Sequence, residues 1–144
     1  MEKEEHYRKL ERMYARANSQ QSFETKIEIW EGSTRQVLNI KKEYHHAADA
    51  VHGHLYFKMM DDTSFFATNS LVEEVFVLTV GYTVYFVRPV AEGEMIARGN
   101  VVFRSKSLYI AESRVTNSDG KEIARGSGTF MRSKVPLTPE IGYE

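Results

Sequence analysis

The chain has 144 residues, a length typical of one domain that is large enough to bury a hydrophobic core. With 42% hydrophobic residues, 27% charged residues and a formal net charge of −1, it has an ordinary globular composition and lacks the basic excess of a nucleic-acid-binding domain. The absence of cysteine excludes a disulfide framework, a thiolate nucleophile and thiolate metal ligands.

The N-terminal segment predicts a docked helix rather than a targeting signal. Its sequence, MEKEEHYRKLERMY, is too charged for a signal peptide, and no apolar run approaches the roughly 20 residues that span a bilayer. Tyr7, Leu10, Met13 and Ala17 recur at helical spacing over residues 2–18. We therefore expect a cytoplasmic protein without membrane contact, whose first helix packs on the body through this stripe.

Two extended segments and a second helix follow. Apolar residues alternate with charged ones from Phe23 to Ile29, and an extended pattern resumes after a turn at Gly32-Ser33. Residues 54–70 have the length of a helix and carry apolar side chains almost all round it. That pattern is typical of a buried helix.

Four strand-like runs make up most of the remaining chain: residues 74–88, 94–104, 108–117 and 122–132. Their short connections, including a hairpin signal at Asp119-Gly120, predict antiparallel neighbours. In the first run, strict alternation places Thr79 on one face and Tyr82 and Phe86 on the other, and both faces are apolar. One domain of this size has no second layer to cover both faces, so we infer a subunit partner.

These elements predict an α+β fold in which a curved antiparallel sheet wraps one buried helix. Small residues at Ala124, Gly126 and Gly128 in the last run would let the helix lie close to the sheet. We expect an N-terminal helix at 1–20, a main domain at 21–135 and a C-terminal tail at 136–144. The tail is punctuated by proline, and we expect it to be loosely held.

The segment from Tyr44 to Ser70 carries the candidate chemistry. It holds four of the five histidines, a glycine at the start of the predicted helix (Gly53) and two adjacent carboxylates (Asp61 and Asp62). An ionised carboxylate is costly in an apolar helix unless it is solvated or used. Free N–H groups at a helix start can meet developing negative charge. An amide donor and a carboxylate on one helix therefore indicate an acyl-transfer site.

The spacing of His52, Gly53 and Asp61 resembles that of the hotdog-fold acyl-CoA thioesterases, in particular the phenylacetate-pathway and 4-hydroxybenzoyl-CoA branch. The motif of that branch reads roughly Asn-x-x-x-x-x-His-Gly-Gly, with an acid nine residues after the histidine. Downstream, YFVRPV at 85–90, EGE at 92–94 and SDGKEIARGSGTF at 118–130 are similar to the family pattern. The resemblance covers about residues 23–132. It implies a hotdog fold, hydrolysis of an acyl-CoA to CoA and a free acid, no cofactor or metal, and a homodimer or homotetramer.

The resemblance also implies roles for individual residues. Asp61 acts as general base or nucleophile with a pKa raised by burial, whereas we expect Asp62 to be solvated or ion-paired. Gly53 donates its N–H to the thioester oxygen, and Thr79 assists the attacking water. His46 either bonds the thioester oxygen, holds the water or protonates the leaving thiolate, or is simply a loop histidine.

The remaining candidates are expected to order the loop or to bind substrate. They are His52 and His54 at the helix start and Arg88, Arg104 and Lys106 at strand ends, where they can meet the phosphates of CoA. Three apolar helix residues either line an acyl pocket or only fill the core: Met60, Phe65 and Phe66.

Departures from the family motif leave other functions open. His54 replaces the second glycine, His46 stands where the family has Asn or Gln, and residues 104–107 replace a basic-Gly-basic turn. One alternative is a module that binds acyl-CoA or an acyl carrier without hydrolysis. Another is a hotdog dehydratase that acts on 3-hydroxyacyl thioesters through a loop histidine and a carboxylate. A third is a metal site in the histidine loop, although no recognised ligand spacing is present.

Overall fold

The computed structural model describes residues 1–144. It contains two α-helices and six β-strands: α1 (Lys3–Arg16), β1 (Thr25–Trp30), β2 (Ser33–Asn39), α2 (Gly53–Asn69), β3 (Val75–Phe86), β4 (Glu94–Arg104), β5 (Tyr109–Thr116) and β6 (Glu122–Pro136). Short 3-10 turns lie at Asn18–Gln20, Lys42–Tyr44 and Pro139–Ile141. None of the helices combines the length and the apolar character needed to cross a bilayer.

All six strands form one antiparallel sheet in the order β1-β2-β4-β5-β6-β3. The sheet curves around α2, which contacts all six strands, and α1 packs beside β1. This is the hotdog fold that the sequence predicted, with the extra N-terminal helix. The order leaves β1 and β3 as the two edges of the sheet.

The main core lies between α2 and the concave face of the sheet. Leu55, Met59 and Met60 of α2 are fully buried against residues such as Leu38 and Ile123. Burying one such side chain contributes about 1.5–3 kcal/mol, so this contact is what fixes the helix on the sheet.

A close approach between α2 and the sheet occurs at Gly99 on β4. A Cβ atom at Gly99 would lie 2.5 Å from the carbonyl carbon and oxygen of Thr63. The sequence had located this approach at Gly126 and Gly128 of β6. There an added Cβ would lie 2.4–2.5 Å from the Tyr82 ring, and at Gly126 it would also lie 3.3 Å from Met60 Sδ of α2.

A β-bulge in β3 changes the face on which its side chains lie. The register with β6 shifts between Thr79 and Gly81, so Thr79, Tyr82 and Phe86 all lie on the concave face. Strict alternation had placed Thr79 opposite the other two, which is wrong because one extra residue resets the period of two. On the outer face, Val80 and Tyr85 remain 59% and 62% exposed in the single chain.

The two terminal segments of the chain pack against each other. His6 of α1 is fully buried, with Nδ1 2.7 Å from the Tyr143 hydroxyl and Nε2 2.9 Å from the Asn69 carbonyl oxygen. Tyr143 is itself buried, so the expectation of a loosely held tail is wrong. Tyr7, Leu10 and Met13 form the expected stripe of α1, whereas Ala17 is exposed at the helix end.

Candidate functional site

Asp61 lies on α2 with its carboxylate beside β3. The Thr79 hydroxyl donates to Asp61 Oδ1 at 2.7 Å. Burial raises the pKa of the Asp61 carboxyl above its ordinary value, and the hydrogen bond from Thr79 offsets part of that rise. The neighbouring carboxylate of Asp62 raises this pKa further, whereas Lys58 lowers it. The arrangement gives a carboxylate that holds a proton more readily than an exposed aspartate does.

Asp62 is engaged in an internal ion pair. Lys58 Nζ lies 2.6 Å from Asp62 Oδ2, and the side chains of the two residues are only 17% and 19% exposed. Gln36 Nε2 also donates to Asp62 Oδ2, at 2.9 Å. The ammonium of Lys58 further lies over the rings of Phe23 and Tyr14. Of the two adjacent carboxylates, Asp62 therefore has an ion-pair partner, whereas Asp61 accepts only from the Thr79 hydroxyl.

Histidines cap the start of α2. His52 is the N-cap residue, and its Nδ1 accepts a hydrogen bond from the backbone N–H of His54 at 3.0 Å. The imidazole Nδ1 of His54 lies 2.7 Å from the same His52 nitrogen. Burial, and to a smaller extent His52, lowers the pKa of His54. The N–H of Gly53, between them, has no acceptor within the chain.

A cavity of about 360 Å³ opens beside this helix start. It brings together His46, Gly53 and Arg88 with the rings of Tyr56 and Phe86. His46 lies in the exposed loop, where its Nδ1 accepts from the backbone N–H of Ala48 at 3.0 Å. The structure therefore unites three of the predicted residues at one end of α2.

A second cavity, of about 270 Å³, lies beside Asp61. Seven of its eleven lining residues are hydrophobic, and they include Phe65 and Phe66 of α2. Met60 does not line it, because its side chain is fully buried in the main core. Met13 and Ile141 complete the wall, and sequence reasoning missed both because they come from opposite ends of the chain.

The predicted residues form separate groups within one chain. Gly53 and Asp61 are eight residues apart on one helix, which is about 12 Å along its axis. Arg104 is level with Thr79 in the sheet register but three strands away, about 14 Å. Arg104 and Lys106 stay exposed at the β4–β5 turn. No three side chains of His, Asp, Glu or Cys come together as a group that could hold a metal ion.

Comparisons with known proteins bear on the family and the fold of this chain. A sequence model described as the thioesterase superfamily matches residues 49–124. A search of curated proteins returned no significant match.

Among solved structures, the PaaI protein from the phenylacetic acid degradation operon of E. coli superposes with a TM-score of 0.85 and 19% identity, covering 94% of this chain and 99% of that one. A thioesterase family protein from Silicibacter pomeroyi gives 0.78 and 24%, covering 86% and 95%. A hypothetical thioesterase from Streptococcus pneumoniae, solved with coenzyme A, gives 0.71 and 14%, covering 76% and 89%. At such identities the likeness shows the shared fold.

Proposed function

The chain belongs to the thioesterase superfamily, and from that premise we propose that it hydrolyses an acyl-CoA thioester to CoA and a free carboxylic acid. The observation that carries the proposal is the Asp61 carboxylate, which has a raised pKa, a hydroxyl donor in Thr79 and an apolar cavity beside it. Coenzyme A in the related streptococcal structure supports CoA as the thiol component.

The proposed chemistry needs only a base and an oxyanion donor. The Asp61 carboxylate takes a proton from water while the water oxygen bonds to the thioester carbon. The carbonyl oxygen becomes negative and accepts a hydrogen bond from the free N–H of Gly53, a contact worth about 3–4 kcal/mol in other acyl-transfer enzymes. When the C–S bond breaks, the proton passes from Asp61 to the departing sulfur. Direct attack by the carboxylate, followed by hydrolysis of the anhydride, uses the same groups.

We propose that each active site is shared between two subunits. A carbonyl group is about 1.23 Å long, so Gly53 and Asp61 of one chain, about 12 Å apart, cannot both contact it. A two-fold partner would solve this by bringing Asp61 of the partner subunit to Gly53. The free edge of β3, with exposed Val80 and Tyr85, offers the surface for that pairing.

Other predicted residues have places in this arrangement. His46 and Arg88, beside Gly53, would face the thioester and the CoA, and Arg104 and Lys106 would meet phosphates from an exposed turn. Exposed Phe103 on the outer face of the sheet supports the pairing of two dimers into a tetramer.

Thiol release from short, long and aromatic acyl-CoAs tests the activity. We expect Asp61→Asn to lower kcat/KM by about 10²–10⁴-fold while acyl-CoA still binds. Binding without release by the native protein would identify a non-catalytic binding module. Loss of water from a 3-hydroxyacyl-CoA would identify a dehydratase. Release that is untouched by Asp61→Asn would exclude this carboxylate.

The N–H of Gly53 can be removed without disrupting the helix. Gly53→Pro deletes this donor at the first helical position, where proline is favoured, and His52 already has the extended conformation (φ −64°, ψ 140°) that precedes proline. We expect a loss of about 10²–10³-fold in kcat. Gly53→Ala adds the same Cβ, 3.2 Å from Phe86 Cζ, but keeps the N–H, and it should lose far less.

Mixing the two inactive variants tests whether the site is shared. In a two-fold dimer of Gly53→Pro with Asp61→Asn, one site carries both changes and the other carries neither. Random reassociation should therefore restore about a quarter of native activity. A mixture that exchanges subunits and stays inactive would show that each site lies within one chain.

A further inference from the structure

We infer that the cavity beside Asp61 receives the far end of the acyl group, and that a wall from the two terminal segments, formed by Met13, Ala17 and Ile141, limits the size of that group. The inference rests on the proposed function and adds specificity-determining residues to it. None of the three belongs to the matched region, residues 49–124.

The cavity runs along α2, from Asp61 toward the end of the helix. Asp61 lies at its polar end, and Phe65 and Phe66 lie about one helical turn further from Gly53. An acyl chain whose carbonyl carbon is attacked beside Asp61 therefore continues over apolar rings, away from the helix start. Phe76 of β3 adds a third ring to the lining.

The wall of the cavity that the terminal segments supply is held firmly. Met13 is buried in the same cluster as Phe66, and Ile141 also lines the cavity. The turn that carries Ile141 is fixed because Tyr143 is hydrogen-bonded to the buried His6. Because this wall is fixed, it should limit the size of the bound acyl group.

The size and lining of the cavity indicate the class of acyl group. About 270 Å³ is near the lower end of the roughly 300–1,000 Å³ of small-molecule sites, so one compact group fits. No cationic side chain lines the cavity, and its two carboxylates, Asp61 and Asp62, are adjacent on α2. We therefore expect medium-length or single-ring acyl groups to be preferred over long chains and over acyl groups with a terminal carboxylate.

A matched pair of substitutions on α1 tests the wall. Ala17→Leu adds a side chain at an exposed position that lines the cavity, whereas Ala15→Leu adds the same side chain at an exposed position that does not. One methylene in an apolar pocket changes discrimination about 10–200-fold. We expect Ala17→Leu to lower kcat/KM for octanoyl-CoA relative to butyryl-CoA at least tenfold, and Ala15→Leu to leave that ratio at its native value.

Opening the wall should have the opposite effect. Ile141→Ala shortens a partly exposed side chain, so the preferred chain length should rise relative to the native enzyme. Chain-length profiles that are identical for the native protein, Ala17→Leu and Ile141→Ala would overturn the inference and leave the hydrolase intact.

Failure of the proposed function would be recognised separately, as an absence of thiol release from every acyl-CoA. In that case calorimetric binding of the same acyl-CoA series decides the inference. Affinity that peaks at medium length and is cut by Ala17→Leu supports the wall, and affinity that depends on neither chain length nor Ala17→Leu overturns it.

Discussion

Replacing Thr79 by valine should shift the pH dependence of the proposed hydrolysis. Valine keeps the shape of threonine but removes the hydroxyl that donates to Asp61 Oδ1 at 2.7 Å. A hydrogen bond to a charged group contributes about 1.5–3 kcal/mol, and the lower figure applies because Thr79 is exposed in the chain. Since 1.36 kcal/mol corresponds to one pKa unit, the pKa of Asp61 should rise by about one unit.

The ionised form of Asp61 is the active one, and this decides the direction of the shift. Both the general base and the nucleophile are carboxylates, so kcat/KM rises with pH through the pKa of Asp61. Burial already raises this pKa, and loss of the hydroxyl raises it further. We expect the acid limb of the kcat/KM profile to move up by about one pH unit, with about a tenfold loss below the limb. A plateau that also falls would add a role for the hydroxyl in holding water.

Thr83→Val is the matched control, because Thr83 is an exposed threonine of β3 with no hydrogen bond to Asp61. Its acid limb should coincide with that of the native protein. The assay is initial-rate thiol release across the acid range with one acyl-CoA. An acid limb that Thr79→Val leaves in place would refute either the hydrogen bond or the assignment of that limb to Asp61.

Three further changes should alter stability in ways that thermal melting can measure. Because the pKa of Asp61 is raised in the folded chain, the ionised carboxylate lowers the free energy of unfolding at neutral pH. Asp61→Asn should therefore melt at a higher temperature at neutral pH, and this gain should vanish as the pH falls below the pKa of Asp61 in the unfolded chain. A lower melting temperature at neutral pH would contradict this. Gly99→Ala should cost about 1–3 kcal/mol by pushing α2 from the sheet, whereas Gly81→Ala, whose Cβ would meet nothing within 3.8 Å, should not; equal effects would disprove the close contact. Tyr143→Phe should cost about 1–3 kcal/mol because buried His6 Nδ1 loses its partner, and an unchanged melting temperature would show that the contact is absent in solution.

The sequence predicted the sheet and the central helix because the spacing of apolar residues within each segment indicates its secondary structure. Residues 54–70 are apolar all round and form the buried helix, Gly53–Asn69. The β3 bulge escaped prediction because one extra residue leaves no compositional mark. The contact of His6 with Tyr143 joins residues 137 positions apart, which no local pattern can reveal.

The candidate site was predictable in part. Spacing selected Gly53 and Asp61 as candidates, and the structure places both on α2, eight residues apart. The cavities beside them were not predictable, because their lining comes from elements that are distant in the sequence. The sequence also predicted that His52 orders the loop by bonding to the backbone, and the structure adds that this bond caps α2, a role that Ser, Thr, Asp or Asn fill far more often.

The meeting of His6 and Tyr143 also determines how this chain can be rebuilt. The first and last residues of the described chain lie close together, so a short linker could join them. New ends could then be opened in the exposed hairpin at Asp119-Gly120. Such a circular permutant would keep every strand pairing of the sheet. An affinity tag, by contrast, is better placed in that hairpin than at either end, where it would press on the wall of the cavity beside Asp61.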